Sequence, residues 1–217
     1  MATANGRVFD SDVVFTCAAS LGLDAQKKSW CYQERDEAAR AEFVKALAEV
    51  AVCDRVYVDE SGCDDRLQRE HGWSPRSVPC FGTRLGHASE RLSVVAAWTP
   101  TSAPAPTPTH GLMAPLSFDG TCHSRLCHSR LFELWLRVML SPLLHAGQVV
   151  ILDNARFHRK KAVQRILNKV GCRAVFLPPY SPDLNLIEPQ WHGLKTRVRT
   201  NRLNGMIFKQ ALESALM

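Results

Sequence analysis

The chain has 217 residues, 46% hydrophobic and 22% charged, which suffices for one well-filled core and excludes both a disulfide-dependent miniature scaffold and a disordered polar chain. Its net charge of +6 is unevenly placed. Residues 1–153 carry 15 Lys and Arg against 18 Asp and Glu, whereas residues 154–217 carry 12 against 3, a net of +9. A basic C-terminal third suits a polyanion such as nucleic acid; it equally suits the solvated outer faces of two helices. No run reaches the ~18–20 apolar residues of a membrane span, and the start lacks the basic-then-apolar pattern of a secretory signal. A cytosolic protein with access to DNA is expected. Eight cysteines are scattered without a C-x-x-C pair, so reduced thiols are expected rather than a zinc ribbon or disulfide framework.

Residues 34–50 place Phe43, Leu47 and Val50 at helical spacing behind an acidic first turn, which predicts an amphipathic helix. Residues 55–59, rich in β-branched and aromatic side chains, predict a buried strand ending at Asp59 and Gly62. Residues 92–98 predict a second strand. Residues 99–109 contain only Thr, Pro, Ser and Ala; the prolines remove backbone donors, so a surface loop is predicted. Residues 113–118 resume the sheet, and residues 131–140 predict a helix with Leu131, Trp135, Val138 and Met139 on one face. The run 148–153 is almost continuously apolar, as in a central strand covered on both sides, and ends in Asp153. A helix over about 159–170 closes at Gly171. A short strand at 174–177, the Pro-rich 178–182 and a helix over about 185–202 come next. Strands first, then alternating strand and helix, predict an α/β domain with a mixed sheet.

Asp59 and Asp153 follow apolar strands and Glu188 lies one turn into a helix. Clustered carboxylates repel unless cations neutralise them, and oxygen-only ligation favours Mg²⁺ or Mn²⁺ over zinc. Two such ions ~4 Å apart would activate a water or 3′-hydroxyl and stabilise the leaving oxygen of a phosphodiester. Glu188, three residues after Asn185, also fits the reciprocal partner of a helix capping box.

The blocks VDESG at 58–62, HGWSPR at 71–76, ILDNARFH at 151–158 and LPPYSPDLNLIE at 177–188, in that order, resemble the signature blocks of bacterial insertion-sequence transposases of the mariner-like superfamily. The resemblance runs from about residue 27 to 216, and the thirty-four residues between Asp153 and Glu188 match the spacing of its DDE members. It implies an α/β, ribonuclease H-like fold: a mixed five-stranded sheet flanked by helices, with Asp59 on the first strand, Asp153 after the fourth and Glu188 on a helix behind the sheet. It also implies Asp59, Asp153 and Glu188 as catalytic residues and ligands of two Mg²⁺ or Mn²⁺ ions. Asn154 and His158 would support the site, positioning substrate or metal-bound water, and Lys160, Lys161, Lys195, Arg197 and Arg199 would bind DNA. Trp73 and Tyr180 suit either DNA contact or loop packing.

The implied activity is metal-dependent DNA cleavage and strand transfer. Partners would be transposon ends and target DNA, acting as a homodimer with no membrane and no zinc, in a bacterial cytoplasm associated with the nucleoid. Residues 1–30 would be a remnant of an N-terminal helix-turn-helix region and 31–217 the catalytic domain. Two departures from the family pattern stand out. Leu186 replaces the family's proline, and Cys122-His-Ser-Arg-Leu126 is repeated as Cys127-His-Ser-Arg-Leu131. A five-residue insertion inside a helix rotates all later residues of that helix by about 140°, so residues 122–131 are expected in an exposed loop or a frayed helix start, free of zinc. The alternatives are an inactive DNA-binding remnant of a decayed insertion sequence and a zinc-binding module built on the repeated Cys and His.

Overall fold

The computed structural model describes residues 32–68, 73–83, 86–100, 111–119, 125–155 and 158–217, with Thr3–Ala4 and Arg7–Val8. The chain divides into Met1–Gln33 and Glu34–Met217. In the first unit, Thr3–Ala4 pairs antiparallel with Arg7–Val8; the predicted helix-turn-helix remnant otherwise lies outside the described residues.

The second unit contains α1 (Glu37–Ala48), β1 (Arg55–Asp64), β2 (Arg91–Trp98), β3 (Leu112–Asp119), α2 (Arg125–Trp135), β4 (Val149–Leu152), α3 (Lys160–Asn168), β5 (Arg173–Phe176), α4 (Glu188–Leu203) and α5 (Phe208–Leu216). The five strands form one mixed sheet in the order β3-β2-β1-β4-β5. The first three run as an antiparallel meander, while β4 pairs parallel to β1 and β5 parallel to β4. This is the mixed five-stranded sheet flanked by helices that the resemblance implies.

Alternating side chains of β1 serve opposite faces, as the pleat requires. Tyr57 and Cys63 join α1, α4 and α5 through Phe43, Trp191, Leu194, Val198 and Leu212. Val56 and Val58 join α2 and α3 through Phe132, Trp135, Leu136, Val163 and Leu167. β4 is buried along its whole length, because helices cover both sides of it.

The first strand does not end at Asp59. It remains paired with β2 as far as Asp64↔Arg91. It leaves β4 after Tyr57↔Ile151, because β4 stops at Leu152. The last major helix likewise starts at Glu188 rather than about 185, since residues Pro182–Leu184 form a separate 3-10 turn.

The helix predicted over 131–140 begins earlier and changes its winding. α2 includes the second CHSRL copy, so the helix-start alternative holds there, but Ser129 is buried and the expected exposure is corrected at that residue; residues 121–124 lie outside the described set. The helix starts inside the first copy, so the added residues lengthen its N-terminal end without rotating Phe132 and Trp135. Leu136–Leu140 is then a π turn, closed by the Ser141 N–H and Oγ on the Leu136 carbonyl. The wider turn buries Leu140 fully, with Met139 partly buried beside it, and leaves Val138 60% exposed.

Gly171, at φ +73, ends α3 as predicted. The Cys172 N–H reaches back to the Leu167 carbonyl at 3.0 Å and the Gly171 N–H to that of Asn168 at 3.2 Å.

The loop predicted over 99–109 lies mostly outside the described residues. None of the described helices is long and apolar enough to cross a membrane.

Candidate active site

Parallel strands that stop at different points leave a crevice at their carboxyl ends, where open α/β sheets place ligands. β1 and β4 do this here. Arg55 pairs with Val149 and Tyr57 with Ile151; the same offset of 94 sets Asp59 level with Asp153, just past the last bonded pair. The register thus brings Asp59 and Asp153 to neighbouring backbone positions where the strands part.

The third acid comes from α4. Glu188 is its first residue and is exposed, and Trp191, on the same helical face three residues later, is buried and donates its indole N–H to Asp59 Oδ2 at 2.9 Å. That bond docks the start of α4 onto β1 beside Asp59. The capping-box reading of Glu188 fails: α4 has no side-chain cap, and Asn185 is buried with its Oδ1 lacking a hydrogen-bond partner. Only the backbone joins them, the Glu188 N–H donating to the Asn185 carbonyl at 3.2 Å.

Burial is the main reason that the Asp59 carboxyl is pushed up to about 6; the Trp191 and Glu60 N–H groups oppose the rise, while the negative fields of Glu188 and Asp153 add to it. Glu188 and Asp153 thus both lie near enough to Asp59 to act on its carboxyl. Asp153 behaves oppositely. Its burial would raise the carboxyl, but His158 outweighs that by hydrogen bond and charge, with the Ala155 N–H assisting, and holds it below the ordinary range. His158 Nδ1 lies 3.0 Å from Asp153 Oδ1, and the Ala155 N–H donates to the same oxygen at 3.1 Å.

Among the described residues no three His, Cys, Asp or Glu side chains form a ready-made cage for a single ion. Protein donors orient two of the carboxylates, Trp191 on Asp59 and His158 on Asp153. The donor set still fits a hard divalent ion, since Mg²⁺ keeps several waters and takes only one or two carboxylates from the protein.

The supporting residues brace the acids. His158 is buried, its ring centroid 4.2 Å from that of Phe132 in the α2 and α3 layer. The Asn154 side-chain amide donates to the Leu177 carbonyl, tying the turn after β4 to the end of β5. Arg40 of α1, also buried, donates to both Asp183 oxygens, at 3.0 and 2.6 Å, and so anchors the turn that leads into Glu188. Arg40 and Trp191 were not among the sequence candidates. The signal available for Trp191 was its place three residues after Glu188; nothing local marks Arg40.

The predicted DNA-binding cations fall into three places. Lys195 and Arg199, four residues apart on α4, line a cleft with Gly62, Asp64 and Arg66 of the β1 end. Lys160 and Lys161 are exposed at the start of α3, the Lys160 ammonium lying 4.8 Å from the Phe176 ring centre. Arg197 points elsewhere: its Nε donates to the Ala215 carbonyl at 3.2 Å, joining α4 to α5. Trp73 is fully exposed and Tyr180 is 52% exposed, so neither is a buried packing residue. Cys122 lies outside the described residues and the Cys127 side chain is not described, which leaves the zinc expectation there.

The sequence model of the DDE superfamily endonucleases matches residues 54–206, spanning all three acids. No curated protein matches at a significant level. Among solved structures, the Mos1 transposase paired-end complex with left transposon end is 12% identical, with a TM-score of 0.61 over 94% of this chain and 70% of that one. The mariner Mos1 paired end complex with Mg is 16% identical, with a TM-score of 0.58 over 83% of this chain. The Mos1 Strand Transfer Complex is 15% identical, with a TM-score of 0.56 over 83%. This chain spans 56% and 55% of the latter two. These likenesses show the shared fold, and the family match, over more than two thirds of the sequence, assigns the chain: it belongs to the DDE superfamily endonucleases.

Proposed function

We propose that this chain is the catalytic part of a mariner-like transposase, cutting DNA strands and joining the freed 3′ ends to target DNA. One observation carries the reading: the Trp191 bond that brings the α4 start onto Asp59, level with Asp153 on the next strand. Asp59, Asp153 and Glu188 would hold two divalent ions, Mg²⁺ or Mn²⁺, which when bound supply activation of the attacking oxygen and charge stabilisation at the leaving oxygen. Trp191 and His158 orient the first two carboxylates, and Arg40 steadies the approach to the third. Lys195 and Arg199 extend from Glu188 along α4 at seven and eleven residues, about 10 and 16 Å of helix. They would take the phosphates of a strand leading away from the acids, contacts that position DNA without reading its sequence.

DNA, a homodimer as the acting form, a remnant of an N-terminal helix-turn-helix DNA-binding region at 1–30 and a cytoplasmic, nucleoid-associated site of action all belong to this proposal. So does the absence of zinc. The test is nicking of supercoiled plasmid with Mg²⁺ or Mn²⁺, beside calorimetric titration of Mn²⁺ into the protein. Asp153→Asn keeps the side chain's size but removes its charge; it should abolish nicking and sharply weaken Mn²⁺ binding. Nicking that survives Asp153→Asn would remove the mechanism. Ordinary Mn²⁺ and DNA binding with no nicking by the native chain would favour the inactive remnant.

A further inference from the structure

A second basic surface lies on the other side of the sheet from the α4 cleft. Between α2 and α3 a groove of about 430 Å³ is lined by Arg137, Arg159, Lys161, Arg165 and Lys169, with Glu133 as the one carboxylate among its described residues. Glu133 is already engaged: Arg159 donates to both its oxygens, at 2.6 and 2.7 Å. Four cations are left without a carboxylate across the groove. Three of them recur every fourth residue, Lys161 and Arg165 on α3 and Lys169 at its C-cap, in a row that spans about 12 Å.

The row is built against its own electrostatics. The first turn of α3 carries no acid and its start has no side-chain cap, so Lys160 and Lys161 face the positive end of the helix dipole, where anions are favoured. Like charges at this spacing are mildly unfavourable on a helix, and a polyanion covering the row would relieve that repulsion. A linear row of exposed cations in an open groove suits the repeating phosphates of a DNA backbone, whereas one small anion would leave most of the row uncovered.

α2 and α3 pack on the face of Val56, Val58, Val150 and Leu152. α4 packs on the opposite face, that of Tyr57 and Ile151. We infer that the chain carries two separate phosphate-binding surfaces, the α2–α3 groove and the α4 cleft, and binds two DNA segments at once, one on each face of the sheet. The inference builds on the proposed DNA reaction, in which a cut end and a target must be held together, and adds the surface for the second duplex.

The test is the binding stoichiometry, at low salt, of a DNA hairpin with a stem of about one helical turn, too short to reach from one face to the other. The native chain should bind two hairpins per chain. The groove step should weaken with salt at a log-log slope of about −3.6, for four neutralised phosphates. Replacing the exposed Arg137, Arg165 and Lys169 together by Ala should leave one hairpin per chain, with an unchanged circular dichroism spectrum and melting temperature. Lys195→Ala with Arg199→Ala should also leave one, whereas the charge-keeping Arg137→Lys with Arg165→Lys should keep two. One hairpin on the native chain, or two on the triple variant, would overturn the inference. Saturation of the groove by a polyglutamate peptide that hairpin DNA does not displace would make it a protein-docking surface instead. Asp153→Asn separates the two claims: it should lose nicking and still bind two hairpins. Nicking retained by that variant would sink the catalytic proposal and leave the groove standing.

Discussion

Trp191 donates its indole N–H to Asp59 Oδ2 at 2.9 Å, so one bond joins the helix that begins at Glu188 to the strand that carries the first acid. The indole occupies one lone-pair position of the carboxylate and fixes its rotation. Partners of this kind, outside the ligand shell itself, are typically worth about 10–100-fold in metal affinity. Trp191→Phe keeps most of the buried volume and removes the donor, and a loss of Mn²⁺ affinity in that range is expected by calorimetry. Unchanged affinity would show that Trp191 is only packing.

The Asp59 and Asp153 carboxyls affect stability with opposite signs. Asp59, pushed up to about 6 from an ordinary 3.8, binds its proton more tightly in the folded chain than in the unfolded one. Its contribution therefore favours the metal-free fold in acid and is lost as pH rises from about 4 to about 6. Asp153 is held down by His158; its contribution is present above the ordinary carboxylate range and is lost as pH falls through its lowered value. Without metal, Asp59→Asn should melt above the native chain at neutral pH, and the gap should close in acid. A gap that does not change with pH would refute this account of Asp59.

Gly171 is needed where α3 turns towards β5. At φ +73 an added Cβ would lie 2.8 Å from that of Ala146, and the left-handed conformation alone costs a side-chain-bearing residue roughly 1–2 kcal/mol. Gly171→Ala should lower the melting temperature by about 2–8 °C for a chain of this size. An unchanged melting temperature would mean that the turn relaxes freely.

Arg40 holds the turn before Glu188 through both Asp183 oxygens. The Asp183 side chain is 53% exposed, so water can rehydrate it once Arg40 is removed, and Arg40→Ala should cost only about 1 kcal/mol. The expected signature is local: faster amide hydrogen exchange across 182–188, with the β4 amides as well protected as before. The Asp183 carboxyl, lowered chiefly by its Arg40 hydrogen bond, should lose this contribution as acid protonates it. Exchange that speeds up equally throughout the chain would assign Arg40 to global stability instead.

Elements whose signals are local were legible in the amino-acid order alone. Period-two and continuous apolar runs marked the five strands, though the first runs on to Asp64, a glycine marked the end of α3, and four ordered motifs pointed to the family that the sequence model matches and to Asp59, Asp153 and Glu188 as its proposed acids. Features that depend on distant partners emerged only on folding. Asp59 sits mid-strand because β1 and β4 part company there, and strand pairing is a relation between segments about a hundred residues apart. The burial of the segment after α2 was set by a π turn closed by a Ser141 hydroxyl and backbone bond, which places Leu140 fully in the core and Val138 outside it. Arg197 and Arg199, near neighbours in sequence and equal in charge, diverged because residues two apart on a helix point to opposite sides: one binds the end of α5, the other faces the cleft. Charge can be counted along a chain, but the surface on which each charge lies is fixed by packing.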